Sequence, residues 1–359
     1  MASYLFIFLI TFILSLFARE KENFSYVKVL IIVFIPLFLY GALRTECMDM
    51  DVYEASYESM YGNKFYQDVN ERYEIGYSFL NYIVPSFKLL IAIQSLVYVS
   101  SCAFICKRYL NSKYLWLFIV LFFLSGEKTV YFFTAMRNTI AVAIFLFSIP
   151  LIEKRKVFYF GGMVIIASLF HTSALFFMPL AYIVGRNTTM RKWECLIWCG
   201  ILVFLLIMPV SLLVDQVSVL IVGNDFEKYA AYLETAHENG FMSKVSSVFL
   251  SGMILYDIIK NPIDKTHLFL GRISLLFTFF PLVGSLNLRA TYYYCLFILL
   301  YTVYALSKGY KHNYRIVFAI VLSIYATYAF FVVDASSPYS GLSTYKSLID
   351  KIYEYSMCN

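Results

Sequence analysis

Long apolar runs separated by short charged breaks are the feature that most constrains how this chain can fold. A helix needs about 20 mostly apolar residues to cross a bilayer, and backbone groups in lipid must be hydrogen-bonded within their own segment. We therefore predict an all-α fold, a polytopic membrane helical bundle with about 12 transmembrane helices. The predicted segments lie near residues 3–18, 29–43, 86–106, 114–126, 136–152, 157–170, 172–184, 193–214, 244–259, 267–286, 291–307 and 316–334.

The composition agrees with this prediction. Hydrophobic residues make up 61% of the chain and charged residues 14%, whereas soluble domains average about 45–50% apolar and about 25% charged residues. We expect residues 1–359 to form a single integral membrane domain that includes the outward loops 44–85 and 215–243 and the tail 335–359. We expect the net charge of +6 to interact with the membrane surface and not with nucleic acid, so membrane lipid is an expected partner.

Basic residues are unevenly divided between alternate loops of the predicted bundle. One set of loops holds seventeen Lys and Arg residues against Glu20, Glu22, Glu153 and Asp264, and the other set is longer, more acidic and rich in tyrosine. Because loops rich in Lys and Arg stay in the cytoplasm, both termini are predicted to lie outside it. The basic residues are Arg19, Lys21, Lys28, Lys107, Arg108, Lys113, Lys154, Arg155, Lys156, Arg186, Arg191, Lys192, Lys260, Lys265, Lys308, Lys311 and Arg315.

Arginines at four predicted helix ends are candidate functional residues. Arg44 closes the second helix, Arg137 begins the fifth and Arg289 begins the eleventh, all on the predicted outer side. An arginine costs about 2.5–3.5 kcal/mol at mid-helix depth and less near the interface, so an anionic group is expected to compensate each one. That group is either a carboxylate of the loop 44–85 or a ligand phosphate, which suits a planar guanidinium fork. Arg272, on the cytoplasmic side, is expected to snorkel.

The first outward loop combines carboxylates with aromatic rings, as sugar sites do. It reads RTECMDMDVYEASYESMYGNKFYQDVNERYEIGYSFLNYIVP. Carboxylates accept hydrogen bonds from sugar hydroxyls, and aromatic faces pack on sugar rings. Asp49 and Asp51 form a D-x-D pattern that could hold Mg²⁺ or Mn²⁺, although a solvated acidic loop explains them equally well. We expect no cofactor.

His171 differs from the other histidines because it lies inside an apolar run, IIASLFHTSALFFMPL, at the predicted outer turn between the sixth and seventh segments. A histidine there can take a proton from an acceptor hydroxyl or donate a hydrogen bond to a phosphate. A structural hydrogen bond is the alternative. His237, His267 and His312 lie in loops or at helix ends and are predicted to have no special role.

Five motifs in order resemble the EpsG family within the Wzy-type polysaccharide polymerases. They are ALRTECMDMDVYEASY, YEIGYSFLN, MRNTIAVAIF, ASLFHTSALFF and LRATYYYCLF, and the resemblance covers about residues 1–335. It implies a bundle resembling the GT-C-like polysaccharide polymerases and a multi-pass glycosyltransferase of the bacterial inner membrane, with its active site facing the periplasm or exterior. The implied reaction joins undecaprenyl-pyrophosphate-linked oligosaccharide repeat units of O-antigen or exopolysaccharide and releases undecaprenyl pyrophosphate.

The resemblance also implies which residues act. The family's functional residues fall here on Arg44, Asp49, Tyr53, Glu74, Arg137, His171 and Arg289. The interval from Arg44 to the aspartate is one residue shorter than the family's, so either Asp49 or Asp51 takes the family role. The candidate catalytic residues are Asp49, Asp51, Glu74 and His171. The candidate substrate-binding residues are Arg44, Tyr53, Arg137, Asn138 and Arg289.

Other functions use similar residues. A lipid-linked glycan ligase takes the same donor, and a transporter or flippase of lipid-linked oligosaccharide binds the same ligand without changing it. A transporter needs charged groups that face both sides of the membrane, whereas the candidate residues gather on the predicted outer side. A membrane O-acyltransferase is a further alternative, because His171 beside polar residues suits acyl transfer. The expected partners are the undecaprenyl-pyrophosphate-linked oligosaccharide and a chain-length regulator in the same membrane.

Overall fold

The computed structural model of the chain is mostly helical. It describes residues 2–17, 26–47, 49–61, 73–125, 127–207, 241–279, 288–309, 313–328, 345–348 and 350. The helices are α1 (Ala2–Phe17), α2 (Tyr26–Ala42), α3 (Met50–Met60), α4 (Ile75–Ile83), α5 (Phe87–Tyr109), α6 (Leu115–Leu124), α7 (Glu127–Thr134), α8 (Met136–Glu153), α9 (Val157–Ser168), α10 (Ala174–Val184), α11 (Lys192–Ile207), α12 (Phe241–Lys260), α13 (Lys265–Phe279), α14 (Leu288–Gly309) and α15 (Asn313–Tyr328). A 3₁₀ turn, Ser112–Tyr114, precedes α6, and two short strands, β1 (Arg44–Glu46) and β2 (Lys346–Ser347), pair antiparallel.

Each of the twelve predicted apolar segments contains a helix in this structure. Two further helices, α3 and α4, lie in the predicted outward loop 44–85, and α7 lies between the predicted segments 114–126 and 136–152. By length and composition, α5 and α8 are long and apolar enough to cross a membrane, within the residues described. This finding is compatible with a bundle of twelve spans, which stays a prediction.

The chain divides into two compact units, and the first comprises residues 1–180 and 320–359. In this unit α2 packs against α5, α5 against α8 and α8 against α9, while α1 packs against α2 and α6. The short helices α3 and α4 are held to α5 and α8 by a buried cluster that includes Tyr53, Tyr57, Tyr77, Phe87 and Met136. Aromatic side chains bury the largest apolar areas, so this cluster fixes the loop 44–85 on the helices beneath it.

Local side-chain bonds explain where some helices begin and how polar residues fit inside apolar ones. The Ser86 hydroxyl accepts a hydrogen bond from the Leu89 N–H at 3.2 Å, which is an N-cap for α5. Inside α1, the Thr11 hydroxyl donates to the Ile7 carbonyl at 2.7 Å. A hydroxyl that bonds within its own helix needs no partner from a neighbouring helix or from lipid.

The second unit comprises residues 181–319 and contains a buried polar network centred on Asp257. The Asp257 carboxylate accepts hydrogen bonds from Tyr301 at 2.6 Å and from Arg315 Nη2 at 2.9 Å, and it lies 3.0 Å from His267 Nε2. Arg315 Nη2 also donates to the Asn261 carbonyl at 2.7 Å. These bonds join α12, α13, α14 and α15, because each helix contributes one of the four side chains.

The predictions for His267 and Arg272 were wrong. The His267 side chain is fully buried and bonded to Asp257, so it is a member of the network and not an ordinary helix-end residue. Arg272 does not snorkel, because its guanidinium is buried and donates to Glu194 Oε2 at 2.8 Å. Burying a guanidinium costs several kcal/mol, and the Glu194 carboxylate offsets part of that cost. His237 and His312 lie outside the described residues.

Helices α2 and α5 approach closely at Gly41. A Cβ atom added to Gly41 would lie 2.4 Å from the Phe133 ring and 2.8 Å from the Ser95 hydroxyl. Phe133 is fully buried, so its ring has little room to move away.

Gly41→Ala is therefore expected to lower the melting temperature of the detergent-solubilised protein, because overpacking a buried contact costs about 1–3 kcal/mol. The matched control is Gly162→Ala in α9, where nothing lies within 4 Å of an added Cβ and alanine favours the helix by up to about 1 kcal/mol. Thermal unfolding followed by size-exclusion chromatography measures both variants. A Gly41→Ala protein as stable as the control would contradict the close approach.

Candidate active site

Arg44 is buried at the point where α2 ends and β1 begins. It is 4% exposed, and its guanidinium donates to the Gly41 carbonyl at 3.0 Å, to the Ser95 hydroxyl at 3.2 Å and to Gln94 Oε1 at 3.0 Å. Within the described part of the chain these partners are neutral, so no carboxylate from there balances this charge. Arg44 is therefore hydrogen-bonded as a structural residue would be, but no described carboxylate forms an ion pair with it.

Gln94 connects Arg44 to the start of α8. The Gln94 amide Nε2 donates to the Phe132 carbonyl at 2.7 Å. The same carbonyl accepts a hydrogen bond from the Thr139 hydroxyl at 2.7 Å. A chain of hydrogen bonds thus runs from Arg44 to the first turn of α8, which also carries Arg137.

A segment from the far end of the sequence completes the surroundings of Arg44. β2 pairs with β1 so that Arg44 is opposite Ser347, and the Leu348 N–H donates to the Leu43 carbonyl at 2.9 Å. The Tyr345 hydroxyl donates to the Tyr40 carbonyl at 2.7 Å, and the two rings stack with centroids 4.6 Å apart. The sequence carried no signal for this contact, because the segment is short and its partner is distant.

Arg137 and Glu74 form an ion pair that is partly open to the outside of the molecule. Arg137 Nη1 donates to Glu74 Oε2 at 2.6 Å, and the two side chains are 20% and 14% exposed. The other carboxylate oxygen, Oε1, accepts a hydrogen bond from the Thr172 N–H at 3.1 Å. Glu74 therefore joins α4, the start of α8 and the turn between α9 and α10.

Gly76, two residues after Glu74 in the motif YEIGYSFLN, also contacts the end of α9. Its N–H donates to the Leu169 carbonyl at 2.8 Å, and an added Cβ would lie 2.7 Å from that carbonyl oxygen. Only glycine allows so close an approach of α4 to the end of α9. The motifs YEIGYSFLN and ASLFHTSALFF, which are far apart in sequence, are thus in direct contact.

Two tyrosines, Tyr73 and Tyr53, contact the Arg137 guanidinium. Its Cζ atom lies 4.7 Å from the centroid of the Tyr73 ring, a distance typical of a cation–π contact. The guanidinium also interacts with the Tyr53 hydroxyl, and burial raises the pKa of Tyr53 to about 12 although the arginine opposes this shift. Tyr53 is therefore a neutral hydrogen-bonding group at physiological pH and not a base.

Asp49 and Asp51 lie at the start of α3 with exposed side chains. Asp49 has φ 62°, the left-handed conformation, and its side chain makes no capping hydrogen bond. Non-glycine residues adopt this conformation at a cost, and aspartate tolerates it better than most. No group of three His, Cys, Asp or Glu side chains that could hold a metal ion occurs among the described residues.

His171 and Asn138 are both buried, and Ser173 contacts both of them. His171 Nδ1 accepts a hydrogen bond from the Ser173 N–H at 3.2 Å, which leaves the ring proton on Nε2 as a donor. The Ser173 hydroxyl lies 3.4 Å from Asn138 Oδ1. The position of His171 in a turn agrees with the sequence, and its function stays a prediction.

Four predicted site residues, Tyr53, Glu74, Arg137 and His171, lie together among the described residues. We define the Arg137 site as Tyr53, Tyr73, Glu74, Arg137 and the turn 171–173. A partly exposed cation, aromatic faces and a fixed carboxylate suit a ligand that carries both a phosphate and a sugar. Arg289 begins α14 in the second unit, and its side chain lies outside the described residues, so its role in substrate binding stays a prediction.

The comparisons with known proteins agree with the resemblance seen in the motifs. No curated protein and no solved structure matches this chain. A model of the EpsG family matches residues 27–347, which is nearly the whole chain and includes all the site residues described above. The match indicates a membrane protein that resembles polysaccharide polymerases, and the chain belongs to the EpsG family.

Proposed function

We propose that this protein is a polysaccharide polymerase of the bacterial inner membrane, which acts on the outer face. It joins undecaprenyl-pyrophosphate-linked oligosaccharide repeat units of O-antigen or exopolysaccharide and releases undecaprenyl pyrophosphate. The observation that supports this most is the Arg137–Glu74 pair, a partly exposed guanidinium beside two tyrosine rings.

The proposed reaction transfers one glycosyl group. The bond between the anomeric carbon and the pyrophosphate oxygen breaks, and a hydroxyl oxygen of the acceptor unit forms the new glycosidic bond. The hydroxyl proton passes to a base, and the bonding electrons leave with the pyrophosphate. Because negative charge grows on that leaving group, a positioned guanidinium stabilises the transition state more than the ground state.

Arg137 is the proposed phosphate ligand. A guanidinium has five N–H donors; in Arg137 this group bonds to Glu74 through Nη1 and also interacts with the Tyr53 hydroxyl. Glu74 accepts from Arg137 and from the Thr172 N–H, so we assign it to hold the guanidinium in place and not to take the acceptor proton. Asn138 and Arg289 are proposed as further ligands of the diphosphate.

The remaining candidates have different proposed roles. Asp49 and Asp51 are exposed and accept no hydrogen bond from a described side chain, so one of them is proposed as the base. His171, with its proton on Nε2, is proposed as a hydrogen-bond donor to substrate. Arg44 is too deeply buried to reach a large ligand, so we propose that it positions β1 and the start of α8.

The decisive experiment gives purified protein in proteoliposomes an undecaprenyl-pyrophosphate-linked repeat unit and resolves the products by length. Longer glycan on the lipid supports a polymerase. Transfer of glycan to a different lipid would support a ligase instead, and unchanged glycan that crosses the bilayer would support a transporter. A chain-length regulator from the same membrane is expected to change the length distribution without being needed for extension.

Arg137→Ala is expected to lower the rate of extension by about 10²–10³ fold, because it removes a charge-stabilising donor. Arg137→Lys is expected to restore little, because a point charge replaces a planar fork. Arg108→Ala is the matched control, since Arg108 also pairs with a glutamate, Glu153, in the same unit, and an exposed pair contributes about 0–1 kcal/mol. The product ladder and the amount of folded protein are measured for each variant.

A double variant distinguishes a role in binding from a role in packing. Arg137→Gln combined with Glu74→Gln removes both charges and leaves no unpaired ion. If Arg137 only balanced Glu74, this protein would regain most activity relative to either single variant, and the proposed role would be wrong. We expect it to stay inactive while it elutes as a folded protein.

The two aspartates are expected to differ. Asn tolerates the left-handed conformation of residue 49, so Asp49→Asn removes the charge and keeps the backbone. If Asp49 is the base, this variant loses about 10²–10⁴ fold in rate and Asp51→Asn loses little. The opposite order would assign the base to Asp51, and unchanged rates in both would exclude the pair. Single-turnover extension measures the rate.

Tyr53→Phe is expected to slow extension by about tenfold, the effect of losing one hydrogen bond of about 1.4 kcal/mol. The pKa of Tyr53 is about 12, so its hydroxyl is protonated throughout the neutral range. The pH dependence of the rate between about 6 and 9 should therefore keep its shape in Tyr53→Phe, since a group titrates within about one unit of its pKa. Loss of an alkaline limb in this variant would contradict a neutral Tyr53.

A further inference from the structure

An apolar groove runs between α2 and α5 on the outside of the first unit. Leu30 and Val99 form part of its floor and are buried, while Ile31 and Leu96 along its edges are 55% and 53% exposed. The groove has a volume of about 280 Å³, which is at the lower end of small-molecule sites. This size suits one hydrocarbon chain better than a bulky ring system.

The groove has the length of one bilayer leaflet. Its α2 wall extends from Val27 to Phe38 and its α5 wall from Leu96 to Lys107, each about 17 Å long at about 1.5 Å per residue. Half of the hydrocarbon core of a bilayer is about 15 Å. The helices run antiparallel, because the Tyr26 hydroxyl donates to the Cys106 carbonyl at 3.1 Å at the Lys107 end.

Positive charge is confined to that end of the groove. Lys107 lines it, and Lys28, which follows the lining residue Val27 in the first turn of α2, is exposed. Neither ammonium group has a carboxylate partner among the residues that the structure describes, whereas the adjacent Arg108 is paired with Glu153. By the distribution of Lys and Arg, this end is predicted to face the cytoplasm, opposite the predicted side of Arg137.

We propose that this groove binds one acyl chain of an anionic phospholipid, with the lipid phosphate beside Lys28 and Lys107. A phospholipid of the cytoplasmic leaflet would place its acyl chain along the groove and its phosphate at the lysine end. Basic groups at that interface attract anionic headgroups. The site is separate from the Arg137 site, and the proposal does not depend on the enzymatic reaction.

Native mass spectrometry of the purified full-length protein tests the proposal. The probes are dipalmitoyl phosphatidylglycerol and dipalmitoyl phosphatidylcholine, which share their chains and differ in net charge. We expect tighter binding of phosphatidylglycerol and a loss of about fivefold per lysine in Lys28→Gln and Lys107→Gln. Lys88→Gln is the matched control, because Lys88 is an exposed lysine at the opposite end of α5, and it should bind as the wild type does.

Blocking the groove tests the position of the acyl chain. Ser100 lines the groove and is exposed, so Ser100→Phe is expected to fold normally and to weaken binding of both lipids. Equal binding of the two lipids by the wild type, or equal losses in Lys88→Gln and Lys107→Gln, would overturn the proposal.

The same protein and variants also test two competing anionic ligands, inorganic phosphate and undecaprenyl phosphate. If inorganic phosphate alone stabilises the protein and this effect disappears in the double variant Lys28→Gln, Lys107→Gln, the lysines bind free phosphate and the lipid proposal is wrong. If undecaprenyl phosphate displaces phosphatidylglycerol, the groove belongs to the substrate lipid, and the proposal is again wrong. Resistance of bound phosphatidylglycerol to both competitors is the expected result.

Discussion

Compensation of buried charge is the constraint on which the rest of this structure depends. Removing an ion from water costs several kcal/mol, and a helix in an apolar environment offers no solvent to offset that cost. Arg137, Arg272 and Arg315 each meet this requirement with a carboxylate from a distant helix or turn. Arg44 is instead bonded to neutral acceptors in the described part of the chain.

These pairs also decide which elements are held together. Asp257 joins four helices of the second unit through His267, Tyr301 and Arg315. In the first unit Glu74 connects α4, α8 and the turn that carries His171. A residue that fixes the site also carries part of its charge, so structural and chemical roles overlap there. This is why removing both charges of a pair is more informative than removing one.

The apolar segments were predictable because a run of about 20 apolar residues has few alternatives to a helix in lipid. α3 and α4 were not predicted as helices, because they are short and polar on one face and depend on buried tyrosines such as Tyr57. The partners of His267 and Arg272 were missed for another reason: Asp257 and Glu194 lie near the ends of apolar runs, and a linear sequence does not show which helices meet. For Arg137 the sequence offered two partners, a carboxylate of the loop 44–85 or a phosphate, and the structure pairs it with a carboxylate of that loop, Glu74, across 63 positions.

The pairing of β2 with β1 has a consequence for how the protein is made. Tyr345 bonds to Tyr40 across 305 positions, so the surroundings of Arg44 include a segment that the ribosome produces very late. At about 5–20 residues per second, Arg44 would wait ~15–60 s for that segment to emerge. A shortened translation product could therefore carry the motifs from ALRTEC to LRATYYY and still lack a finished Arg44 environment.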